Sequence, residues 1–456
     1  MPEINRKRLF LTTCIAMVTI AMPFAIRSDI LSALGREFDL SHEQQGLMQA
    51  AASWGYPFSV LAGGLLCDIV GMRLLMLMAC GGHIAGIIFT ILSPAFGFPV
   101  LLFATFIMGL ADGTAESAMN PLVATLYPRQ KTGRLSLLHA GWPLGLIIAG
   151  LLCLFVTKIT GAGLPEAPAA VVSISWRIKM SLVLFPAILY GILSVGQFFP
   201  GTECRESGVS MMEMLKEGFR PGFIILLLCM ILTSAAEVGP DQWFGSALKD
   251  TVGIGGIAFL VFTSCFMLVL RYNGGKLADA LTPFGLLVGS CFMAGLGLWW
   301  LSHAFTPLAA LAAAALFGIG KSCLWPTILG VTSERYPRGG SFLLAIMSAI
   351  GILAGGMSGP VLGRVYDRYT IVNLPATVAQ AVVVDGRYSP VASAKLSAPA
   401  DRAAIREAEK QGAAMTFRLS AAAPVLPLFV FLVMGIRHRM RGGYRIVNIG
   451  GKRGNR

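Results

Sequence analysis

Long runs of apolar residues recur along most of the chain, and few charged residues interrupt them. A membrane-spanning helix needs roughly 20 predominantly apolar residues. The pattern predicts an all-α membrane protein with twelve transmembrane helices. The predicted spans are residues 9–31, 44–66, 74–93, 98–126, 135–157, 178–199, 221–246, 252–272, 283–302, 306–332, 341–363 and 416–436.

Composition agrees with this membrane assignment. Hydrophobic residues make up 55% of the 456 residues and charged residues only 13%, whereas soluble domains carry about 25% charged residues. The 53 glycines suit close helix packing in a bilayer. The nine cysteines include no CxxC pair and no Cys/His cluster, so we expect small buried hydrophobic residues and no metal or other cofactor.

The formal net charge of +13 bears on orientation, because the excess of Lys and Arg lies mainly in short loops and the C-terminal tail. That placement argues against nucleic-acid binding. Positive loops face the cytoplasm, which predicts a multi-pass protein of the cell (inner or plasma) membrane with both termini cytoplasmic. The apolar run after Arg6–Arg8 is interpreted as a retained first span, not as a cleaved signal. The opposite side carries only a few basic residues outside its long loop: Arg36, Lys158, Arg177, Lys179 and Lys249.

Two connections are longer than turns and divide the chain. We expect an N-terminal six-helix bundle in 1–199, a cytoplasmic linker in 200–220 and a C-terminal bundle in 221–456. The linker contains Ser210 and Glu213, a capping-box spacing that predicts a short amphipathic helix. A long extracytoplasmic loop is predicted at 367–415. Its charged segment Asp401–Gln411 reads as a helix, and the loop is either a solvated spacer or a lid.

The two halves contain matching landmarks. Asp68 follows the second predicted span and Asp279 follows the eighth, at an offset of 211 residues. Leu126-Tyr127-Pro128-Arg129 and Arg335-Tyr336-Pro337-Arg338 end the fourth and tenth spans at an offset of 209. Two matches at nearly one offset predict two pseudo-symmetric halves of six helices each.

The first of these loops resembles a known signature. Residues 64–73 fit GxLxDxxGxR, the loop motif of the major facilitator superfamily, whereas residues 275–279 keep only GxLAD. The resemblance covers essentially the whole chain. It implies the major facilitator fold and alternating access, in which two bundles rock about a central site. Asp68, Arg73 and Asp279 would then form part of a gate.

Polar residues inside the spans are the candidate site, because buried ionisable groups are costly and usually functional. Asp112, Glu116 and Asn120 share one helical face. The 209-residue offset places Asp112 opposite Lys321, so the two either pair across the cavity as a gate or are satisfied within their own halves. The remaining candidates are Arg27, Asp29, His139, Trp142, Glu237, Asp241, Gln242, Trp243 and Trp325. His83 reads as a core residue.

Two carboxyl groups are candidates for proton coupling. A carboxyl in a cavity of low dielectric constant can hold a proton near neutral pH, which suits Glu116 and Asp29. The alternative is an ion pair with Arg27 or Lys321. The indole rings of Trp142, Trp243 and Trp325 beside hydrogen-bonding groups suit stacking on a sugar, although each alone also suits packing or a membrane interface.

Several stretches resemble the fucose permease-like sugar:proton symporters. They are the aspartate in the first span (Asp29), Gln49 with Gly55-Tyr56, the run Glu116–Pro121, His139-Ala140-Gly141, and Glu237 before Trp243. The resemblance implies that Asp29 and Glu116 are proton-linked. It also implies that Gln49, Asn120, His139 and Trp243 contact the sugar.

The chain departs from that pattern in its cations. Arg27, Lys321 and Arg271 are additions, and Trp142-Pro143 replaces an aromatic-glycine run. These three cations suit a carboxylate, so an acidic sugar or another organic anion is the alternative substrate.

Together these features predict a secondary active transporter, functional as a monomer, that works by proton-coupled uptake of a sugar or a similar small polar solute. An organic-anion or sugar-acid transporter and a metabolite or drug exporter are the alternatives. The chain shows no nucleophile elbow, HExxH or P-loop motif, so we expect no enzyme activity.

Overall fold

A computed structural model describes most of the chain. The described residues are 4–40, 42–164, 166–247, 256–304, 306–384, 387–389, 392–393, 396, 398–449 and 453–455. Several side chains within these ranges are also outside the described part. They include three predicted substrate contacts, Gln49, Gln242 and Trp243, and their neighbour Asp241. The first residues of the predicted eighth span, 252–255, lie outside it as well.

Twelve transmembrane spans form the fold, as the apolar pattern predicted. The first six are Arg6–Glu37, His42–Val70, Met72–Leu92, Phe98–Leu126, Lys131–Thr160 and Ala169–Ser194. The last six are Pro221–Ala247, Gly256–Tyr272, Gly274–Leu301, Pro307–Arg335, Gly340–Val372 and Pro399–Met440. We number these spans 1 to 12 in chain order.

Four spans consist of two helices each. Span 5 comprises Lys131–His139 and Gly141–Thr160, and span 6 comprises Ala169–Ser181 and Leu184–Ser194. Span 10 comprises Pro307–Lys321 and Leu324–Arg335, and span 12 comprises Pro399–Ala422 and Val425–Met440. Short elements complete the described chain: helices Ser93–Ala95, Glu203–Glu206, Met211–Glu217, Pro337–Gly339 and Ala376–Val382, and strands Val383–Val384, Arg387–Tyr388, Arg445–Val447 and Arg453–Asn455.

The helices present many large apolar side chains on their outer faces. Phe58, Phe155 and Phe185 are 60–73% exposed, a pattern that suits lipid and not water. Small residues allow close approach inside the bundle. A Cβ atom on Gly109 would lie 2.2 Å from the carbonyl oxygen of Ala52, so spans 2 and 4 pack backbone against backbone there.

Both chain ends lie at one end of the bundle, which we call the terminal side. The ring of Phe10, near the start of span 1, packs against Tyr127 at 5.6 Å between centroids. Soon after Tyr127, the backbone N–H of Thr132 donates to Glu334 at 3.0 Å. The hydroxyl of Tyr444, in the C-terminal tail, donates to the same carboxylate at 2.7 Å.

The two halves touch at the terminal side. The hydroxyl of Ser341 in span 11 donates to the carbonyl of Gly64 in span 2 at 2.9 Å. Gly133 of span 5 faces Gly275 of span 9 so closely that a Cβ on Gly133 would lie 2.8 Å from the Cα of Gly275. In this conformation the terminal side is closed.

The linker between the halves contains the predicted capping box. Ser210 Oγ accepts the backbone N–H of Glu213 at 3.3 Å, and Glu213 Oε2 accepts the N–H of Ser210 at 3.0 Å. The helix Met211–Glu217 follows. The hydrogen bond from the backbone of Ser210, followed by the nearby charge of Arg338, lowers the pKa of Glu213. The position of this helix on the cytoplasmic membrane surface remains a prediction.

Two predicted loops contain more helix than expected. The segment after span 8, predicted as a loop, is helical from Gly274, and the non-helical φ of 62° at Thr282 marks a kink before Pro283. Span 11 continues to Val372, and the charged helix predicted at Asp401–Gln411 continues directly into span 12.

The connection between spans 11 and 12 is therefore shorter than 367–415, and it folds around a small apolar cluster. That cluster contains Leu374, Val378, Val382, Tyr388, Ile405 and Ala408. The hydroxyl of Tyr388 donates to Glu409 at 2.7 Å. A role for this segment as a lid remains a prediction.

Candidate functional site

Glu116 is the centre of a buried hydrogen-bond network in span 4. Its Oε2 accepts the hydroxyl of Tyr56 at 2.5 Å. Its Oε1 accepts the amide of Asn120 at 3.1 Å and the hydroxyl of Ser348 at 3.0 Å. Glu116 itself is 6% exposed. Because three donors converge on it, the carboxylate form of Glu116 is the one that this arrangement satisfies.

The network joins several spans and both halves. His139, in span 5, places Nε2 3.2 Å from Asn120 Oδ1. Tyr56 belongs to span 2, whereas Ser348 belongs to span 11 in the second half. The Ser348–Glu116 hydrogen bond therefore links the two bundles at a titratable group. The structure thus brings three predicted site residues, Glu116, Asn120 and His139, together.

Arg271 and Glu237 form a buried ion pair in the second half, with Nη2 and Oε1 2.9 Å apart. The same guanidinium donates to the carbonyls of Ser322 at 2.7 Å and His139 at 3.2 Å. The sequence suggested that Glu237 contacts substrate and that Arg271 holds a carboxylate. In this conformation the two residues bind each other, and Arg271 also contacts the first half.

Asp112 has its partner within its own half. His83 Nε2 lies 2.9 Å from Asp112 Oδ1, and His83 Nδ1 lies 2.8 Å from the hydroxyl of Tyr190. Of the two alternatives that the offset left open, this contact favours satisfaction of Asp112 within its own half over pairing with Lys321, since positions equivalent by symmetry need not touch. His83 is fully buried, as expected of a core residue, and both its ring nitrogens have polar partners.

Asp29 pairs with Lys179. Lys179 Nζ lies 2.6 Å from Asp29 Oδ2 and donates to Thr157 Oγ1 at 2.7 Å. Lys179 is 7% exposed and lies well inside span 6, although its charge was counted with those that flank the spans. Span 6 begins at Ala169, whereas the apolar pattern placed its start at residue 178, next to Lys179. The ion pair of Asp29 is therefore with Lys179, not Arg27.

Replacing Lys179 is expected to destabilise the fold. Lys179→Met leaves the part-buried carboxylate of Asp29 without its cation, which costs about 3 kcal/mol of unfolding free energy. Denaturant titration of the purified protein in detergent measures this loss. Lys158→Met, an exposed position near the end of span 5, is the matched control and should change little. The double variant Lys179→Met/Asp29→Asn should recover part of the loss; no recovery would contradict the pairing.

Arg27 differs from these paired charges. Its Nη1 is shielded from solvent and has no hydrogen-bond partner within the part of the chain that the structure describes. Asp112 interacts with it electrostatically, but Asp112 makes its close contact with His83. A shielded guanidinium nitrogen without an acceptor is costly, and it marks a position where a carboxylate oxygen would be stabilised.

The other predicted residues inside the spans lie in packed surroundings. Lys321 is 1% exposed, its Nζ lies 5.0 Å from the centre of the Phe317 ring, and it has further interactions. Trp325 is 8% exposed and packs so closely on Gly351 that a Cβ there would lie 2.5 Å from the ring. Trp142 is half-buried, with Phe24 at 5.7 Å between ring centres.

The predicted gate residues lie at the terminal side. Asp68 accepts the hydroxyl of Thr202, the N-cap of the linker helix Glu203–Glu206, so it contacts the linker. Lys131 Nζ lies 2.5 Å from Glu203 Oε2 in the same region. Arg73 and Asp279 are exposed.

The structure adds site residues that the sequence did not single out. Tyr56 and Ser348 donate hydrogen bonds to Glu116. Tyr190 hydrogen-bonds to His83, and Lys179 forms an ion pair with Asp29. A phenol or hydroxyl inside an apolar run gives no periodic signal, and only the three-dimensional packing identifies it. Tyr56 did fall in a stretch that resembled the sugar symporters, and this was its one sequence signal.

Curated relatives of the chain are transport proteins. It is 25% identical over 367 residues, 71% of its length, to "Probable anion transporter 1, chloroplastic" of Oryza sativa subsp. japonica, of which the match covers 64%. It is 25% identical over 181 residues, 39% of its length, to the "Hexuronate transporter" of Bacillus subtilis, of which the match covers 36%. The matches thus span less than two thirds of either relative.

Among solved structures, the fold is similar to that of FucP, an Escherichia coli fucose:proton symporter, in its outward conformation. The TM-score is 0.70 at 17% identity, over 93% of this chain and 98% of that one. At this identity the similarity shows the fold alone. The family model of the Major Facilitator Superfamily matches residues 9–356. The chain therefore belongs to the Major Facilitator Superfamily and is a membrane transporter, not an enzyme.

Proposed function

We propose that this transporter carries a small hydroxylated organic anion of the sugar-acid class, together with protons. The observation that carries the proposal is Arg27, whose Nη1 is buried and has no acceptor among the described residues. The carboxylates Asp29, Glu237 and Asp112 have partners of their own. A substrate carboxylate is the acceptor that Arg27 lacks.

The relatives support an acidic substrate over a neutral sugar. Their names refer to anions and hexuronates, and these are the alternative that the additional cations of this chain suggested. A hexuronate keeps the ring hydroxyls of a sugar and adds one carboxylate. Trp142, half-buried beside Phe24, offers a ring face for such a sugar.

Glu116 is proposed as the proton-coupling group. In the ionised form it accepts three hydrogen bonds, one of them from Ser348 in the other half. Protonation removes the charge and weakens the bonds that hold the halves together at this point. Proton binding would thereby favour the rearrangement that opens the closed terminal side.

The direction of transport follows from the orientation. We propose that the terminal side is cytoplasmic, because Lys and Arg are concentrated there. A carrier closed toward the cytoplasm would take its substrate and its proton from outside. The proposed activity is therefore uptake across the cell membrane driven by the proton gradient.

Uptake into proteoliposomes tests the proposal directly. When the lumen is alkaline, labelled galacturonate should accumulate in the vesicles, and a protonophore should abolish this accumulation. Labelled galactose should not accumulate under the same conditions. Galactose accumulation without galacturonate accumulation would restore the neutral-sugar alternative. Neither solute accumulating would reject both the sugar-acid and the hexose function.

Arg27→Gln is expected to raise the KM for galacturonate by roughly 10- to 100-fold, since a charge-assisted hydrogen bond to a buried carboxylate contributes about 1.5–3 kcal/mol. Initial uptake rates over a range of galacturonate concentrations measure the KM. Arg36→Gln, on the exposed last turn of the same helix, is the matched control. Equal KM values for the two variants would remove Arg27 from the binding site.

A further inference from the structure

A second buried polar network lies in the first half, formed by Tyr190, His83 and Asp112 from spans 6, 3 and 4. Both His83 and Tyr190 are 0% exposed, and Asp112 is 9% exposed. The Tyr190 hydroxyl lies 2.8 Å from His83 Nδ1, and Asp112 Oδ1 lies 2.9 Å from His83 Nε2. The proposed coupling through Glu116 makes no use of this network.

Both ring nitrogens of His83 have partners that suit either protonation state. In the neutral ring, Nε2–H donates to Asp112 and Nδ1 accepts the phenol hydrogen. In the cationic ring, both nitrogens donate, and the oxygen of Tyr190 then accepts after its hydroxyl turns. A proton can therefore be added to Nδ1 while both ring nitrogens of His83 keep their hydrogen-bond partners.

Arg27 connects the network to the proposed substrate. It lies within electrostatic range of Asp112 without an ion pair joining them among the described residues. With no substrate, the charges of Arg27 and Asp112 balance, and His83 can remain neutral. A carboxylate bound at Arg27 adds one negative charge beside Asp112, and one proton on His83 restores the balance.

We infer that His83 is a proton-binding site that takes up one proton when a carboxylate binds at Arg27. The inference rests on the proposed function, and it adds a second proton to the one on Glu116. The proton comes from the aqueous phase and ends on Nδ1, and no other bond is made or broken. Its chemical consequence is that the charge of an anionic substrate is neutralised inside the carrier.

Other titratable groups surround His83 in the first half. Span 4 contributes Glu116, one turn from Asp112, and span 2 contributes Tyr56, which donates to Glu116. Span 6 contributes Lys179, which is paired with Asp29 of span 1. Cys80 of span 3 donates to the carbonyl of Ala187. Among the described residues, Asp112 and Tyr190 are the two that hydrogen-bond to the His83 ring.

The first test needs no substrate. The chain has five histidines, and nitrogen NMR of the labelled imidazoles at pH 7 identifies His83 as the signal missing in His83→Gln. His83 should be neutral in the wild type and in Arg36→Gln. In Arg27→Gln the charge of Asp112 is unbalanced, so His83 should be mostly cationic. If His83 stays neutral in Arg27→Gln, the proposed electrostatic link between Arg27 and the protonation of His83 is refuted.

The second test counts protons in proteoliposomes. Proton entry and labelled galacturonate entry are recorded together. The number of protons carried per galacturonate should fall by one in His83→Gln, because the glutamine amide still donates to Asp112 but cannot carry a proton. Tyr190→Phe, which removes the acceptor for the second N–H, should lower the ratio at neutral pH. An unchanged ratio in both variants would overturn the inference. If wild-type protein carries no galacturonate, the proposed function fails, and the NMR result alone decides the proton site.

Discussion

Glu116→Gln is expected to separate exchange from coupled transport. The glutamine keeps the size of Glu116 and stays neutral, so it resembles the protonated state permanently. Accumulation of galacturonate driven by a pH gradient should fall by roughly 100-fold, the size of effect that loss of a positioned proton acceptor produces. Exchange of labelled for unlabelled galacturonate, which needs no net proton movement, should stay within a few-fold of the wild type.

Two measurements on the same vesicles check this result. Uptake with the lumen alkaline reports coupling, and counterflow without a gradient reports exchange. Glu166→Gln, in an exposed loop between spans 5 and 6, is the matched control and should retain both activities. Accumulation in Glu116→Gln at the wild-type level would show that another group couples the proton. Loss of both activities would instead indicate that Glu116 is needed to bind substrate.

The architecture could be predicted from the sequence because the spans correspond to long runs of apolar residues. Length, charge placement and the two landmark pairs were enough for twelve spans in two halves. The errors occurred where polarity interrupts a continuous helix. Asp401–Gln411 was recognised as a helix, yet its charges hid the fact that it continues into span 12.

The candidate site was predicted only in part, and the reason is geometric. Glu116 and Asn120 share a helical face, and their hydrogen bond needs only one helix. Ser348 reaches Glu116 from the other half, more than 200 residues away in sequence, and only because the halves are closed at that point. Contacts of this kind depend on the conformational state and leave no periodic signal in the chain.

Symmetry was informative about the fold and misleading about contacts. The 209-residue offset relates Asp112 to Lys321 as equivalent positions, but equivalence by a pseudo-two-fold axis does not bring two side chains together. His83, one helix away, satisfies Asp112 instead. In the same way, the sequence suggested that Lys179 flanks its span, whereas the helix of span 6 places its side chain against Asp29.

Closure of the terminal side depends on the contact between Gly133 and Gly275. Gly133→Leu is expected to prevent this closure, because even a Cβ at Gly133 would lie 2.8 Å from the Cα of Gly275. The atom that this Cβ would meet belongs to the backbone of Gly275, so no flexible side chain can move aside. A carrier that cannot close one side cannot alternate, and we expect uptake to fall by roughly 100-fold, as an imbalance of about 3 kcal/mol between the two states would cause.

Cys204 reports the same change without any substrate. It is 0% exposed in the linker, and its Sγ donates to the carbonyl of Pro337 at 3.2 Å. Burial, with smaller contributions from Asp68 and Glu203, raises the pKa of Cys204 to about 12. The thiol is thus protonated and shielded near neutral pH while the terminal side is closed. Opening exposes it, and a maleimide should then modify it at least about tenfold faster.

Peptide mass spectrometry follows the labelling of Cys204 in the nine-cysteine protein, with the exposed Cys265 as the internal reference. Gly289→Leu is the matched control, since a Cβ at that helical glycine meets nothing within 4 Å. It should leave uptake and the protection of Cys204 unchanged. If Gly133→Leu behaves like Gly289→Leu in both measurements, the contact with Gly275 is not where the halves close. If Cys204 is exposed in Gly133→Leu while uptake continues, closure at this point is not required for alternation.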